Sequence, residues 1–462
     1  MNDTICALAT ASGGAIGIIR ISGPQALEIL SHIFSKDLSQ AEPYTIHYGQ
    51  IIQKHPFPDE DELKVEAKQV IDEVLVSVFR APHSYTGEDC AEISCHGSRY
   101  ILNKVLALLI ENGCRQANPG EYTMRAYLNG KMDLSQAEAV ADLIASSNKA
   151  THQMAMSQLR GRFSSQLAQL REQLLKLTSL LELELDFSDH EDLEFADRSE
   201  LLELAKTIDQ HIVHLAKSFE TGQALKQGIP VAIIGKTNVG KSTLLNQLID
   251  DDRAIVSNVH GTTRDTIEET MEINGVLFRF IDTAGIRDTS DTVERIGIDR
   301  TYTAIEKARI VIWLLDGRPS ETEYQEIKKL IKGKRYIPVH NKADLVDMKT
   351  FAPYFLPLTM ISAKTGYGIP NLKRRIYEEA QIAGLTANDS DIIVTNARHY
   401  DALLRAHESV LRVIDGLQMH LSGDLLSEDL RQTIDILSEI TGGQITPNEV
   451  LENIFKNFCV GK

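Results

Sequence analysis

A phosphate-binding loop is the clearest chemical signal in the chain. The run GKTNVGKS, from Gly235 to Ser242, matches the pattern G-x-x-x-x-G-K-[ST] and stands between the apolar run VAIIG and the helical run STLLNQLI. Its glycines allow backbone N–H groups to close around phosphates, Lys241 can reach the β and γ oxygens, and the Ser242 hydroxyl can bind Mg²⁺. The run therefore predicts a site for a nucleoside triphosphate.

Motifs further along the chain indicate which nucleotide is bound. Asp282 in DTAG fits the carboxylate that holds Mg²⁺ through water, Gly285 can donate its N–H to the γ-phosphate, and Thr263 in GTTRD fits a switch threonine. In NKAD, Asp344 can accept hydrogen bonds from the ring N–H and the amine of guanine, a donor pair that adenine lacks. We therefore predict GTP, bound by Gly235, Asn238, Val239, Gly240, Lys241, Ser242, Thr243, Ser257, Thr263, Asp282, Thr283, Ala284, Gly285, Asn341, Lys342, Asp344, Ser362, Ala363 and Lys364.

The residue that follows DTAG differs from the one expected for GTP hydrolysis by the Ras mechanism. In Ras-like and Gα GTPases a glutamine near this motif orients the attacking water. Here Ile286 follows Gly285 directly, and a hydrocarbon side chain cannot position a water molecule. If the chain hydrolyses GTP, another group has to orient the water.

Composition and charge narrow the class of protein. The chain has 462 residues, 43% apolar and 24% charged, which predicts several domains of ordinary soluble composition. It has no apolar run of ~18 residues and no basic signal sequence, so we expect a cytoplasmic protein without a membrane span. Five cysteines, an odd and sparse set, argue against a disulfide framework. The net charge of −17 disfavours non-specific binding to polyanions, so a nucleic-acid partner would need a local basic patch or a second protein.

The alternation of apolar residues predicts the order of structural elements. The runs AIGIIRIS, EVLVSVF and AEISCHG indicate strands, and residues 100–111 have a helical pattern. A long helical region follows, where Asp133 and Gln136 can form a capping box. Residues 229–380 alternate buried strands with helices, which predicts a doubly wound sheet, and the chain is helical again after residue 390. Because each helical block alone would expose an apolar face, we expect the two blocks to pair in one bundle. The sheet domain would then be inserted into a discontinuous helical domain.

Besides the nucleotide motifs, the chain contains the flanking runs GIIRISG, SYTGED, NPGEYTMRAYLNGKMDLSQAEAVADLI and FCVGK. Through these motifs and runs it resembles the tRNA modification GTPase family MnmE, also called TrmE, over essentially its whole length. The resemblance implies an α/β plus all-α protein. Its expected parts are an N-terminal α/β tetrahydrofolate-binding and dimerisation domain (1–120), a discontinuous helical domain (121–225 and 383–462) and an inserted Ras-like P-loop GTPase domain (226–382).

The resemblance also implies an activity and partners. A homodimer would join the FAD-dependent partner MnmG in a heterotetramer. With 5-formyl- or methylene-tetrahydrofolate as one-carbon donor, it would install an aminomethyl or carboxymethylaminomethyl group at position 5 of the wobble uridine of certain tRNAs. GTP hydrolysis would be K⁺-activated, with K⁺ in the place of an arginine finger.

The same resemblance assigns residues to these roles. Glu294 would orient the water, and Lys241 and Asn238 would take part in catalysis, while Mg²⁺ would be held by Ser242 and Thr263. K⁺ would be bound by Asn238, Ser257, Val259 and Thr262. By itself, Glu294 would be interpreted as a solvated residue at a helix N-terminus, and Arg287 as part of a surface ion pair.

A folate site follows from the resemblance at Arg20, Glu92, Lys131 and Lys462, with Cys459 as a possible accessory residue. Three basic residues and one acid suit the glutamate tail and the pterin amines of a folate. Without the resemblance, Arg20 and Lys131 would be interpreted as surface charges. The sequence leaves open whether the Cys459 thiol reacts or only packs.

A second class of function fits the nucleotide motifs alone, namely a GTP-gated binding module that assists ribosome assembly. The folate-type motifs and FCVGK favour the modification enzyme, because such assembly factors lack them.

Overall fold

The computed structural model describes most of the chain, in two compact units. The described residues are 3–11, 13–55, 67–186, 198–250, 269–281, 304–345, 358–382, 384, 392–443, 451, 454–456 and 458–461. The first unit comprises Met1–Ala145, Gln158–Glu172 and Ile434–Lys462, and the second comprises Ser146–Ser157 and Gln173–Thr433. Among the helices described, none is both long enough and apolar enough to cross a bilayer.

The first unit contains a six-stranded sheet with the strand order β3-β4-β5-β2-β1-β6. Its strands are β1 (Ile5–Leu8), β2 (Ile16–Ser22), β3 (Thr45–His55), β4 (Ala67–Phe79), β5 (Cys90–His96) and β6 (Arg115–Gln116). Neighbouring strands are antiparallel except β1 and β6, which are parallel. The predicted strands are confirmed as β2, β4 and β5, and the helical pattern near residue 100 as α2.

Alternating side chains build the core of this sheet. On β4, Val74, Val76 and Val78 are buried while Leu75 is exposed, as the two-residue period of a strand requires. Two helices cover the buried face, α1 (Ala26–Ile33) and α2 (Arg99–Glu111), and their apolar residues join the same core cluster. Burial of this face fixes the register of the strands.

A capping box begins the helix that follows the sheet. After the short helix α3 (Glu121–Leu128), α4 runs over Leu134–Ala145. The backbone N–H of Gln136 donates to Asp133 Oδ1 over 2.9 Å, and the backbone N–H of Asp133 donates to Gln136 Oε1 over 2.9 Å. This reciprocal pair satisfies two backbone donors at the helix start, and it confirms the capping box predicted from the sequence.

Removal of this cap has an expected cost. We expect Asp133→Ala to lower the free energy of unfolding by about 1 kcal/mol, because the N–H of Gln136 loses its acceptor. Urea denaturation measures the change, and Glu111→Ala, at an exposed helical position, serves as the control. A midpoint for Asp133→Ala equal to that of the control would show that the cap contributes nothing.

The second unit contains a mostly parallel sheet with the strand order β12-β11-β10-β7-β9-β8. Its strands are β7 (Ile229–Ile234), β8 (Glu269–Ile273), β9 (Val276–Phe280), β10 (Ile310–Leu315), β11 (Arg335–His340) and β12 (Thr359–Met360). Among the pairs that these described strands form, only β8–β9 is antiparallel. The helices α8 (Lys241–Asp250), α9 (Glu321–Leu330) and α10 (Ile369–Ile382) alternate with these strands.

Burial of both faces explains why the strands of this sheet are continuously apolar. All six residues of β10 are buried; Ile310, Ile312 and Leu314 join one core cluster, while Val311 and Trp313 join another. A parallel sheet covered by helices on both faces has this pattern. The doubly wound sheet predicted for this region is therefore confirmed.

Long helices precede and follow this sheet along the chain. They are α5 (Lys149–Leu159), α6 (Arg162–Asp186), α7 (Arg198–Gln227), α11 (Ala397–Gln418) and α12 (Gly423–Thr441). Helices α7 and α11 contact each other. The rings of Phe219 and Tyr400 stack with centroids 4.4 Å apart, and the side chains of Asp209 and His407 form a hydrogen bond. The boundaries predicted for the domains stay predictions.

Candidate nucleotide and ligand sites

The predicted nucleotide-binding residues gather at one edge of the parallel sheet. The phosphate-binding loop follows β7, Asn341 follows β11, and Ser362 comes shortly after β12. Parallel strands carry their carboxyl ends to the same edge, where ligands bind in open α/β sheets. The segments that lie far apart in sequence therefore meet at this edge.

The loop adopts a backbone that its glycines make possible. Gly235 has a φ of 153° and Gly240 a φ of 99°. A Cβ atom at Gly235 would overlap the Leu314 carbonyl oxygen, and one at Gly240 would overlap the Asn341 amide nitrogen. Asn238 also has a positive φ, of 60°, and its side chain is exposed. The loop backbone therefore packs closely against β10 and Asn341, and Asn238 is exposed to solvent.

The loop lysine and the first residues of α8 lie at the mouth of the loop. Lys241 donates from Nζ to the carbonyl oxygens of Gly235 and Lys236, each over 2.8 Å. Burial lowers the pKa of Lys241. Ser242 is half-buried in the first turn of α8, and no residue in the described part of the chain hydrogen-bonds to its hydroxyl. A hydroxyl in this position beside the loop fits the expected Mg²⁺ ligand.

Asn341 joins three segments of the site. Its backbone N–H donates to the Leu315 carbonyl over 2.7 Å, and its side-chain Nδ2 donates to the Val239 carbonyl over 2.8 Å. Its Oδ1 accepts a hydrogen bond from the Ala363 N–H over 2.9 Å. Since Asn341 is 3% exposed, each of these groups needs a partner within the protein. One side chain thereby fixes the phosphate-binding loop to the SAK loop.

The other two polar residues of NKAD have different surroundings. Lys342, at a φ of 60°, pairs through Nζ with Asp316 Oδ2 over 2.7 Å. Asp344 is exposed, and a hydrogen bond from Ser362, together with the charge of Lys364, lowers its pKa. Asp344 therefore presents a charged carboxylate beside the SAK loop. Asp316 was not predicted as a site residue, although its place directly after the buried run IVIWLL was a usable signal.

Several predicted residues lie outside the described residues, so their predicted roles stay predictions. They are Ser257, Val259, Thr262, Thr263, Asp282, Thr283, Ala284, Gly285, Ile286, Arg287, Glu294 and Lys462.

Two residues of the predicted folate site, Arg20 and Glu92, meet in the first unit. Arg20 on β2 and Glu92 on β5 are opposite each other in the antiparallel register. Arg20 donates from Nε and Nη2 to Glu92 Oε1, over 2.9 and 2.6 Å, and from Nη1 to the Gly461 carbonyl over 3.2 Å. The C-terminal segment therefore lies against this ion pair. Lys131 is exposed and donates to the Pro82 carbonyl over 2.9 Å.

The ion pair retains capacity for a ligand. Arg20 and Glu92 are 20% and 28% exposed. An arginine has five N–H donors, and three donor–acceptor contacts occupy part of them. Within the described residues, no donor reaches Glu92 Oε2. The pair therefore offers donors beside an acceptor, which fits a ligand with complementary groups, as a folate has.

A buried charge network that the sequence analysis did not assign holds α3 near this pair. Arg125, 1% exposed, donates from Nη2 to Asp3 Oδ1 over 2.8 Å and to Glu121 Oε1 over 3.0 Å, and from Nη1 to Glu88 Oε1 over 3.1 Å. Burial alone would raise the pKa of Asp3, but hydrogen bonds and charge from Arg115 and Arg125 lower it overall. These bonds fix the position of α3, because the charge of Arg125 is buried and cannot be left unpaired.

Cys459 differs from the other cysteines in its exposure. Its carbonyl accepts a hydrogen bond from the Gly120 N–H over 3.2 Å, and its neighbour Phe458 packs against Phe455 with ring centroids 5.0 Å apart. Four cysteines are buried, while Cys459 is exposed. Burial, with the charge of Asp72, raises the pKa of Cys95 to about 12. The terminal segment is thus packed on its backbone and Phe458 side, with its thiol accessible.

This difference predicts selective alkylation. At pH 8 under native conditions we expect iodoacetamide to label one thiol per chain at least about tenfold faster than the rest, because buried thiols react slowly. Intact-protein mass spectrometry follows the reaction. Cys459→Ser should abolish the fast phase, and Cys114→Ser should leave it intact. A fast phase that survives Cys459→Ser would place the reactive thiol elsewhere.

Comparison with known proteins identifies the family. The model described as "GTP-binding protein TrmE N-terminus" matches residues 4–131, and the model described as "MnmE helical domain" matches residues 134–459. A tRNA modification GTPase MnmE from Phocaeicola vulgatus is 54% identical over 496 residues, which cover 100% of this chain and 99% of that protein. The chain belongs to the MnmE family. The resemblance stated from the sequence motifs is confirmed.

A second MnmE protein is similar to the chain over its full length. The tRNA modification GTPase MnmE of Bacteroides thetaiotaomicron is 53% identical over 479 residues, covering 100% of this chain and 99% of that protein. Among solved structures, the G domain of the T. maritima FeoB iron transporter is 24% identical and covers 33% of this chain and 99% of its own, with a TM-score of 0.25.

Proposed function

We propose that the chain is a K⁺-activated GTPase that takes part in modifying the wobble uridine of certain tRNAs. The bridge made by Asn341 is the observation that carries the nucleotide part of the proposal. It joins the phosphate-binding loop to the SAK loop through hydrogen bonds of 2.8 and 2.9 Å. A triphosphate on the loop would therefore extend its base towards the carboxylate of Asp344.

The residues of this site divide the work of binding GTP. Lys241 and the N–H groups of the loop would hold the phosphates, and the hydroxyl of Ser242 would take a place in the coordination of Mg²⁺. The charged carboxylate of Asp344 would accept the two donors of guanine. An adenine nucleotide would leave this carboxylate desolvated and unpaired, so the site discriminates by base.

Hydrolysis requires a positive charge and an oriented water. When bound, K⁺ supplies charge beside the phosphate, as an arginine finger does in other GTPases. In the described residues Asn238 fits a ligand for it, since its side chain is exposed on a loop residue with a φ of 60°. The remaining ligands, Ser257, Val259 and Thr262, and the water-orienting Glu294 are proposed from the family resemblance.

The modification reaction is proposed to use the site around Arg20 and Glu92. A tetrahydrofolate supplies a one-carbon unit when bound there. Arg20 would donate to the ligand from its spare N–H groups, and Glu92 would accept through Oε2, with Lys131 and Lys462 as further contacts. We propose that the chain works as a cytoplasmic homodimer with the FAD-dependent protein MnmG, and that tRNA is the substrate of the pair.

A drop-out assay tests the proposed function. The complete mixture holds the purified chain, MnmG, unmodified tRNA, GTP, methylene-tetrahydrofolate and ammonium as nitrogen source, and nucleosides are measured by mass spectrometry. We expect the wobble uridine to gain an aminomethyl group in the complete mixture only. A tRNA without a wobble uridine is the control. Product in the absence of the chain would overturn the function, and product without the folate would overturn the folate part.

A further inference from the structure

Two tyrosine rings surround the guanidinium of Arg20. Arg20 Cζ lies 5.7 Å from the centroid of the Tyr85 ring and 5.6 Å from that of Tyr122. Both distances are within the range in which a cation is attracted to the face of an aromatic ring. The guanidinium therefore has two aromatic neighbours in addition to Glu92 and the Gly461 carbonyl.

Both tyrosines are themselves tied down. The Tyr122 hydroxyl donates to the Arg20 backbone carbonyl over 2.8 Å, and the hydroxyls of Tyr85 and Thr123 share a hydrogen bond of 2.9 Å. Tyr122 and Thr123 are adjacent on α3, which the buried Arg125 network holds in place. Tyr122 is fully buried, while Tyr85 is 39% exposed. Helix α3 thus fixes both rings and, through them, the side chain of Arg20.

Position matters for this side chain because arginine is long and flexible. Its immobilisation on binding would otherwise cost conformational entropy, as it does for any rotamer-rich side chain at a binding site. A guanidinium held in advance by two rings, a carboxylate and a carbonyl does not incur this cost again. Its free N–H groups then keep a constant direction relative to Glu92 Oε2.

We propose that Tyr85 and Tyr122 are positioning residues that hold Arg20 ready to donate hydrogen bonds to a bound folate. This inference rests on the proposed folate-dependent function and assigns two residues that the sequence analysis did not. The ligand chemistry it implies is a group with a hydrogen-bond acceptor beside a donor, as on the pteridine ring, facing Arg20 and Glu92 together. The rings act through Arg20 and need not touch the reacting atoms.

Binding of 5-formyltetrahydrofolate to the full-length chain, measured by calorimetry, tests the inference. We expect Tyr85→Leu to raise the dissociation constant about three- to tenfold, because the aromatic face is lost, and Tyr85→Phe to stay within about twofold, because the face is retained. Tyr100→Leu, at a tyrosine that is 67% exposed, is the matched control and should bind as the wild type does. GTP affinity should be unchanged in all three variants.

Further variants separate the possible failures. Tyr122→Phe removes only the hydroxyl that bonds to the Arg20 carbonyl, and we expect it to raise the dissociation constant about two- to fivefold. If Arg20→Ala loses binding while Tyr85→Leu and Tyr122→Phe bind as the wild type does, the positioning role is wrong and the folate site stands. If Arg20→Ala also binds normally, the proposed folate site is wrong. If Tyr85→Leu melts at a lower temperature than the control Tyr100→Leu, Tyr122→Phe decides the test. A dissociation constant for Tyr122→Phe equal to that of the wild type then overturns the inference.

Discussion

GTP hydrolysis by the purified chain should be about 10²-fold faster in KCl than in NaCl at equal ionic strength, and Asn238→Ala should remove most of the difference. The magnitude follows from what one charge-stabilising group contributes to a reaction in which negative charge develops. Asn238 is the proposed cation ligand that the structure describes, exposed on the phosphate-binding loop with a φ of 60°. Steady-state phosphate release in the two salts measures the effect.

A matched control separates this role from a general effect of losing an amide. Asn246 is exposed on α8, the helix that follows the loop, and Asn246→Ala should keep the full K⁺ activation. Alanine at position 238 would also be strained, because a residue with a Cβ atom disfavours a positive φ. Asn238→Gly is therefore the second variant, and it should lose activation without this backbone strain. Equal rates in KCl and NaCl for the wild type would show that another residue compensates for Ile286.

Asp344→Asn should weaken GTP binding by about 10²-fold and favour xanthosine triphosphate over GTP. The carboxylate accepts two hydrogen bonds from guanine, and an amide at the same position offers a donor where guanine also has one. Xanthine carries an oxygen in place of the guanine amine, so the amide of the variant can donate to it. Competition between the two nucleotides for a fluorescent GTP analogue measures the change.

The structure supports this prediction through the position of the carboxylate. Asp344 is exposed beside Ser362, whose hydrogen bond lowers its pKa, so the group is charged at neutral pH. Asp401→Asn is the same substitution at an exposed helical position and should leave both affinities unchanged. An Asp344→Asn variant that still prefers GTP would show that another residue reads the base.

Short contiguous patterns were sufficient for the elements that depend on local sequence. The phosphate-binding loop needs glycines at fixed spacing between a strand and a helix, and Gly235 and Gly240 do adopt positive φ values there. The capping box of Asp133 and Gln136 forms within one helical turn. Continuous apolar runs predicted the parallel strands because burial on both faces removes the alternation.

Contacts between distant residues depended on the tertiary structure. The bridge from Asn341 to Val239 and Ala363 requires that β7, β11 and β12 end at the same edge, and no motif states which side chain makes that bridge. The three acidic partners of Arg125 come from different segments, so their grouping depends on how α3 packs against the sheet.

The sequence alone determined the nucleotide motifs, the succession of strands and helices, and the family to which the chain belongs, because each is written in residues a few positions apart. The tertiary structure decided what surrounds Arg20. The register of β2 and β5 sets Glu92 opposite it, and the chain returns after 441 residues to place the Gly461 carbonyl against the same guanidinium. Groups so far apart in sequence meet only through strand register and packing of the whole unit, neither of which is encoded in any single segment.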